Sequence, residues 1–359
     1  MNVLSFGTMT ELSLGQHVSA NQFGGRGLEC SDPSKDHERD LIDWYGLQVL
    51  RSNDEPWGYC ATSSEQAVLC GLWMARKSLS NRAIVFASAE CRPSVPKAAD
   101  LLGLEFVPIG TEADGGMSMR ELSRSVLAQE PERAVVVVLT MGSDDREAYD
   151  DALEFERQRT RLDRSVHVHV DAALGGAIYP FLNPKMLGTR FDTFNVSLHK
   201  FWGAPRPCAL FLCSRTLLSR LEPIDHSVSR TRDAATVEML SEYFRRRGFA
   251  SRNVDNIRRC LLLRDEYVRR FKELLGETRV RVANKELSLS FTLHDLPVEM
   301  AGELPRFSMT VLSRPCRTRF DTRVCLSLHV TADMLDELIR TMAPYAEADP
   351  KPPNKCAIA

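Results

Sequence analysis

The chain has 359 residues, of which 43% are hydrophobic and 26% charged, and its formal net charge is −2. That length predicts a large domain with a smaller companion, and the composition is that of a soluble globular protein. The near balance of charge gives no reason to expect nucleic acid or a membrane surface as a partner.

The basic runs at 157–161 and 245–247 read as solvated helix faces, because acids are interspersed and no aromatic ladder accompanies them. No apolar run reaches the roughly 18 residues that a membrane helix needs. The ten cysteines are scattered, with no Cys-x-x-Cys pair and no recognisable signal peptide, so they read as free thiols of a cytoplasmic protein. Cys356-Ala357-Ile358-Ala359 fits a prenylation box, a pattern short enough to arise by chance.

Residues 1–50 are expected to form an arm and a helix, the helix over 37–47, where apolar residues recur at helical spacing with acids early. Thr62, Ser63 and Ser64 precede a helix over 65–76; such hydroxyls either cap a helix or line an anion site at its free N–H groups. From there strands and helices alternate. Strands are expected over 83–87, 105–109, 134–139, 166–171, 191–196 and 209–213, and helices over 95–102, 119–129 and 146–161. The apolar run from Ala134 to Leu139 is that of a strand covered on both faces. This rhythm over 51–249 predicts an α/β domain, a mostly parallel sheet with helices on both faces. Over 250–345 it gives way to a long helix at 253–275, short strands near Val280, 287–293, 307–312 and 323–329, and a helix at 332–343. That is a small C-terminal α+β domain. Residues 346–359, with three prolines, are expected to be a flexible tail.

Two of the strands end on residues that carry chemistry. Val166-His167-Val168-His169-Val170-Asp171 ends on a carboxylate, and the next strand leads into Ser197-Leu198-His199-Lys200. A lysine at a strand end beside an acid from a neighbouring strand suits pyridoxal 5'-phosphate. That cofactor needs an amine to hold it as a Schiff base and a carboxylate to keep its ring nitrogen protonated. Alternation also puts His167, His169 and Asp171 on one face, so a metal site with His199 as a further ligand is the rival reading. It explains less, because the cofactor uses Asp171 and the Ser-x-His-Lys turn together. A serine hydrolase would need a Gly-x-Ser-x-Gly elbow and a nucleotide fold a glycine-rich phosphate loop, and the chain has neither.

Asp171-Ala172-Ala173-Leu174-Gly175-Gly176 with Pro180-Phe181, then Ser197-Leu198-His199-Lys200-Phe201-Trp202-Gly203 with Pro207-Cys208, stand in the order and spacing of two family motifs. On them the chain resembles the pyridoxal-phosphate-dependent group II amino-acid decarboxylases, in the branch of bacterial histidine decarboxylases and plant serine decarboxylases. Weaker similarity reaches Trp57-Gly58-Tyr59 upstream and His329-Val330-Thr331 downstream. The resemblance implies a fold-type I enzyme, a homodimer with shared active sites, and decarboxylation of an L-amino acid, histidine-like or otherwise small and polar, through a Schiff base on Lys200. It also implies Asp171 as partner of the pyridine nitrogen and Ala173 against the ring. Ser197 and His199 would hold the phosphate, helped by Ser63 and Ser64.

Other positions depart from the family. Arg92 opens Arg92-Pro93-Ser94-Val95-Pro96-Lys97-Ala98-Ala99 where the family has a histidine that stacks on the cofactor and is implicated in protonation. A guanidinium can stack there but is a poor proton donor, and it suits a carboxylate, which hints at an acidic substrate. Glu65 falls where a phosphate-binding hydroxyl is expected, and Gly142-Ser143-Asp144 replaces Gly-Thr-Thr. These changes leave two alternatives open. One is another pyridoxal-phosphate reaction, such as oxidative decarboxylation, carbon–carbon bond formation or transamination; the other is a non-catalytic homologue.

Overall fold

The structure is a computed structural model that describes residues 17–19, 33–50, 55–79, 82–162, 164–182, 191–221, 227–228, 231–247, 249–309, 311–316 and 318–346. Of the expected tail, residues 347–359, the prenylation box included, lie outside them. A short strand β1 (His17–Ser19) pairs antiparallel with β9 (Thr231–Asp233). Helix α1 (Pro33–Asp43) continues into a π-helical turn, Trp44–Val49, and covers 37–47 as expected.

The main sheet has seven strands: β2 (Pro56–Ala61), β3 (Ile84–Ser88), β4 (Glu105–Ile109), β5 (Val135–Thr140), β6 (Val166–Asp171), β7 (Thr193–Ser197) and β8 (Ala209–Ser214). Their order is β2-β8-β7-β6-β5-β3-β4. The run β7-β6-β5-β3-β4 is parallel, and β8 is antiparallel to both its neighbours. Strand β2 was not among the expected strands. Pro56 opens it at the sheet edge, where its missing N–H costs no ladder bond. Helices α2 (Ser64–Ser78), α3 (Ser94–Leu101) and α4 (Met119–Leu127) connect the strands as the alternation predicts.

The sheet separates two layers. Val68, Leu72 and Ala75 of α2 pack on Val85, Ala87, Val136 and Val138, one face of β3 and β5. Ile84, Phe86, Val135, Val137, Val168, Val170, Phe194 and Val196 face the opposite layer, with Tyr45 and Trp202. Period-two alternation therefore assigns His167, His169 and Asp171 to the α2 side.

The charged helix expected over 146–161 is shorter, α5 (Ala152–Arg159). Residues before it form a turn held by side chains. Glu147 has the left-handed φ of 54°, and the Asp150 carboxylate takes the backbone N–H of both Met117 and Thr140 at 2.7 Å. Asp151 then caps the helix through Glu154 N. Short helices α6 (Tyr179–Leu182) and α7 (Arg215–Leu218) flank the sheet, and α8 (Ala234–Arg247) and α9 (Phe249–Leu275) lead to a second sheet.

That second sheet is wholly antiparallel, in the order β10-β11-β13-β12. Its strands are β10 (Val280–Arg281), β11 (Ser290–Pro297), β12 (Val311–Cys316) and β13 (Arg319–Cys325), followed by α10 (Ala332–Ala346). The strand expected over 307–312 begins later because 3-10 turns occupy Val298–Gly302 and Leu304–Phe307, ending at Ser308 with φ 54°. The strand expected over 323–329 ends at Cys325. The two sheets meet at Glu147, which accepts from Leu289 N at 2.9 Å and from Ser290 Oγ, while Arg323 donates to Ser143 O at 3.2 Å. Burial pushes the Glu147 carboxyl above its ordinary range, against those hydrogen bonds.

Burial raises the Asp150 carboxyl to about 7, although its two backbone donors work the other way. A folded value above the unfolded one means stability present below about pH 4 and lost as pH rises through about 7. Asp150→Ala should cost about 2–4 kcal/mol at neutral pH, since two buried N–H groups lose their acceptor. Urea unfolding from pH 4 to pH 8 should show that the variant has also lost part of the wild-type decline.

Candidate active site

Two loops and two helix ends converge at the C-terminal edge of the main sheet, the edge at which α/β sheets place their ligands. Strand β6 ends at Asp171, which is 1% exposed. Its Oδ1 accepts from Asn195 Nδ2 at 3.0 Å and from Ala173 N at 3.2 Å, while Oδ2 is buried without a protein partner. Strand β7 ends at Ser197, whose N–H reaches Ala173 O at 3.1 Å and whose Oγ is also buried and without a partner.

The turn after β7 presents Lys200. Leu198, Phe201 and Trp202 are buried, Trp202 Nε1 donates to Asn253 Oδ1 at 2.9 Å, and Tyr243 OH donates to Trp202 O at 2.6 Å. Anchored by α8 and α9, the turn leaves the Lys200 side chain 24% exposed, with Nζ 3.1 Å from Asp144 Oδ1. Gly203 closes the turn at φ +70°, and a Cβ there would stand 2.2 Å from His329 Nε2. His329, Phe307, Met309, Arg323 and Cys325 line an adjoining cavity of about 360 Å3. His199 Nδ1 lies 3.0 Å from Cys208 O and 3.1 Å from Cys208 N, so the backbone of Cys208 anchors the ring.

Arg92, 5% exposed, binds four side chains at once. Its guanidinium lies 2.8 Å from Ser64 Oγ, 3.1 Å from Glu65 Oε1, 3.2 Å from Asp144 Oδ2 and 3.6 Å from Asp171 Oδ1. Burial opposes the Arg92 charge, but Asp171, Asp144 and Glu65 together hold it more firmly protonated than usual. Burial likewise opposes ionisation of Asp144, and attraction to Lys200 and Arg92 outweighs it and keeps the carboxyl below its usual range. Glu65 is also held low, by backbone and Ser63 hydrogen bonds and by Arg92.

The structure brings Lys200, Asp171, Arg92, Ser64, Ala173, Ser197 and His199 to one edge. Ser63 is different: its hydroxyl accepts Gln66 N at 3.2 Å, the capping alternative. Arg92 does not stand free for an acidic substrate, because carboxylates of the chain surround it. Asp144 was absent from the expected site, and its only sequence trace is the departure from Gly-Thr-Thr. Nor do His167 and His169 join a metal cluster: both rings approach Thr193 Oγ1, and among the described residues no His, Cys, Asp and Glu group is arranged to hold a metal ion.

The residues present fit pyridoxal phosphate. A bare buried carboxylate oxygen suits a protonated ring nitrogen, and an amine lies at the adjacent strand end. Ser64, Ser197, the His199 imidazole and the N-terminus of α2 are groups suited to a phosphate. Arg92→Met should cost about 3 kcal/mol at neutral pH, mostly through the fully buried Asp171, since Glu65 and Asp144 are partly solvated. The low values of Asp144 and Glu65 give stability that is present at neutral pH and lost as pH falls. The difference between Arg92→Met and wild type in urea unfolding should therefore shrink toward pH 3.

Residues 71–221 match the family model described as the pyridoxal-dependent decarboxylase conserved domain. A histidine decarboxylase of Solanum lycopersicum is 26% identical over 283 residues, 73% of this chain and 67% of the relative. Another, of Mesorhizobium japonicum, is 30% identical over 188 residues, 51% of this chain and 50% of the relative. The matches thus span from about half to about two thirds of the relatives' length. L-methionine decarboxylase from Streptomyces sp. 590 shares the fold, with a TM-score of 0.76 at 17% identity, over 91% of this chain and 86% of that one.

Proposed function

We propose that the chain is a member of the group II pyridoxal-phosphate-dependent decarboxylase family and that it releases the α-carboxyl group of an L-amino acid as CO2, with Lys200 carrying the cofactor. The observation behind the reading is Asp171 Oδ2, dry and without a protein partner, on the strand beside the one that leads into Lys200. Keeping a carboxylate oxygen in that state is costly unless a cationic ligand group completes it. When bound, pyridoxal phosphate supplies an electron sink for the charge left on Cα as CO2 departs.

The chain's own residues do the rest. Asp171 holds the ring nitrogen in its protonated form, with Ala173 against the ring. Ser64, Ser197 and His199 bind the phosphate, and Ser63 fixes the start of α2 through its cap. Asp144 Oδ1 orients Lys200 Nζ. Arg92 screens Asp171 from Asp144 and Glu65, which without it would repel one another across the site. The relatives named histidine decarboxylase support a small polar or histidine-like side chain on the substrate. An acidic substrate loses its support, because Arg92 is engaged by the chain's own carboxylates.

With this reading go a large domain over 51–249, a small one over 250–345, a cytoplasmic homodimer and a site shared between subunits. Sedimentation with and without cofactor tests the assembly. The purified protein mixed with pyridoxal phosphate should gain a visible absorption band. Borohydride should fix the label onto Lys200 in peptide maps, and Lys200→Ala should lose both. Incubation with L-histidine, within a panel of amino acids, should release CO2 and the matching amine in equal amounts. A protein that stays colourless with excess cofactor and releases no CO2 defeats the proposal.

A further inference from the structure

Strands β6 and β7 carry a line of polar side chains across a face that is otherwise apolar. On the α2 side β6 offers His167, His169 and Asp171 and β7 offers Thr193, Asn195 and Ser197, none more than 2% exposed. The flanking strands offer Val136 and Val138 on one side and Ala209, Phe211 and Cys213 on the other. Apolar side chains would fill this layer at lower cost, because every buried polar group needs a partner. The line ends at the two bare oxygens, Asp171 Oδ2 and Ser197 Oγ.

Its hydrogen bonds have a direction. Thr193 Oγ1 lies 3.1 Å from His167 Nε2 and 3.0 Å from His169 Nδ1, and Asn195 Nδ2 donates to Asp171 Oδ1 at 3.0 Å. A hydroxyl has one hydrogen, so it donates to one imidazole and accepts from the other. Burial pushes His167 down to about 3 and His169 to about 4, so each ring is neutral with a single proton. Between the rings and the carboxylate two buried atoms have no bonded partner, His169 Nε2 and Asn195 Oδ1, and they are complementary if the proton is on Nε2. Asn195 favours the protonated His169 ring, the sense expected of an amide oxygen near it. His169 Nδ1 then accepts from Thr193, and Thr193 accepts from His167 Nε2–H. The backbone of α2 holds the His169 ring from above: a Cβ on Gly71 would come within 2.4 Å of Nδ1.

We propose that His167, Thr193, His169 and Asn195 form a one-way hydrogen-bond relay that donates into Asp171 Oδ1, fixing that carboxylate's charge and orientation for the cofactor ring nitrogen. The inference rests on the cofactor reading above. Aligned donors polarise one another, so the proton between the ring nitrogen and Asp171 Oδ2 stays on nitrogen, the form that withdraws electrons. His167, Thr193 and His169 are positioning residues that act through Asn195 and Asp171.

The test uses the full chain loaded with pyridoxal phosphate labelled with 15N in the ring. The wild type should show a protonated ring nitrogen, and 15N-histidine spectra should place the protons of His167 and His169 on Nε2. Thr193→Val keeps the shape and cuts the relay. It should move the ring resonance toward the unprotonated value and lower kcat about tenfold with KM changed less, whereas Thr193→Ser should restore both. Nδ1-protonated rings in the wild type overturn the relay without any variant, as does a loaded Thr193→Val protein whose ring resonance stays put. A wild type that takes up no cofactor overturns the underlying reading as well, and is recognised before any variant is made.

Discussion

The site depends on a carboxylate that water cannot reach. Asp171 is buried at the end of β6, and its charge is tolerable only because Asn195, the backbone of Ala173 and the Arg92 guanidinium surround one oxygen. Arg92 is itself buried and needs more than Asp171, so it draws in Ser64, Glu65 and Asp144. Asp144 in turn holds Lys200. Compensation thus passes from β6 to α2, to the turn before α3, to the loop after β5 and to the turn after β7. No member can be exchanged without leaving a charge elsewhere in the set.

This coupling changes how the departures from the family pattern read. Taken singly, Arg92, Glu65 and Asp144 each look like the loss of a cofactor contact. Together they are one exchange, a neutral ring and hydroxyls replaced by a cation with two anions to match it. The exchange leaves the bare Asp171 oxygen and Lys200 at the same edge of the sheet. It also removes the physical basis for an acidic substrate.

Rigidity around the site comes from elements that carry no chemistry. The Lys200 turn is anchored through Trp202 to Asn253 and through Tyr243 to the Trp202 carbonyl, so helices after the main sheet fix the lysine. The Asp144 loop is tied at Asp150 to the backbone N–H groups of Met117 and of Thr140 at the end of β5, and at Glu147 to the second sheet. The second sheet therefore helps shape the site, although the expected site residues all precede it in the chain.

Local pattern in the sequence determined much of this protein. Alternation of apolar runs and amphipathic segments marked nearly every strand and helix of the main sheet, because periodicity reports backbone geometry directly. Chemistry at strand ends marked Asp171 and Lys200, each legible beside its neighbours in the chain. Only the tertiary structure decided the rest. Edge strand β2, the short α5 and the shifted strands after Val280 depend on which side chains tie down backbone N–H groups from distant segments, as Asp150 does. The role of Arg92 depends on partners 27, 28 and 52 residues away. The polar line beneath Asp171 exists because parallel register sets His169 beside Thr193 and Asp171 beside Asn195. Charge and hydrogen-bond compensation act through space, and a chain read residue by residue carries no record of that distance.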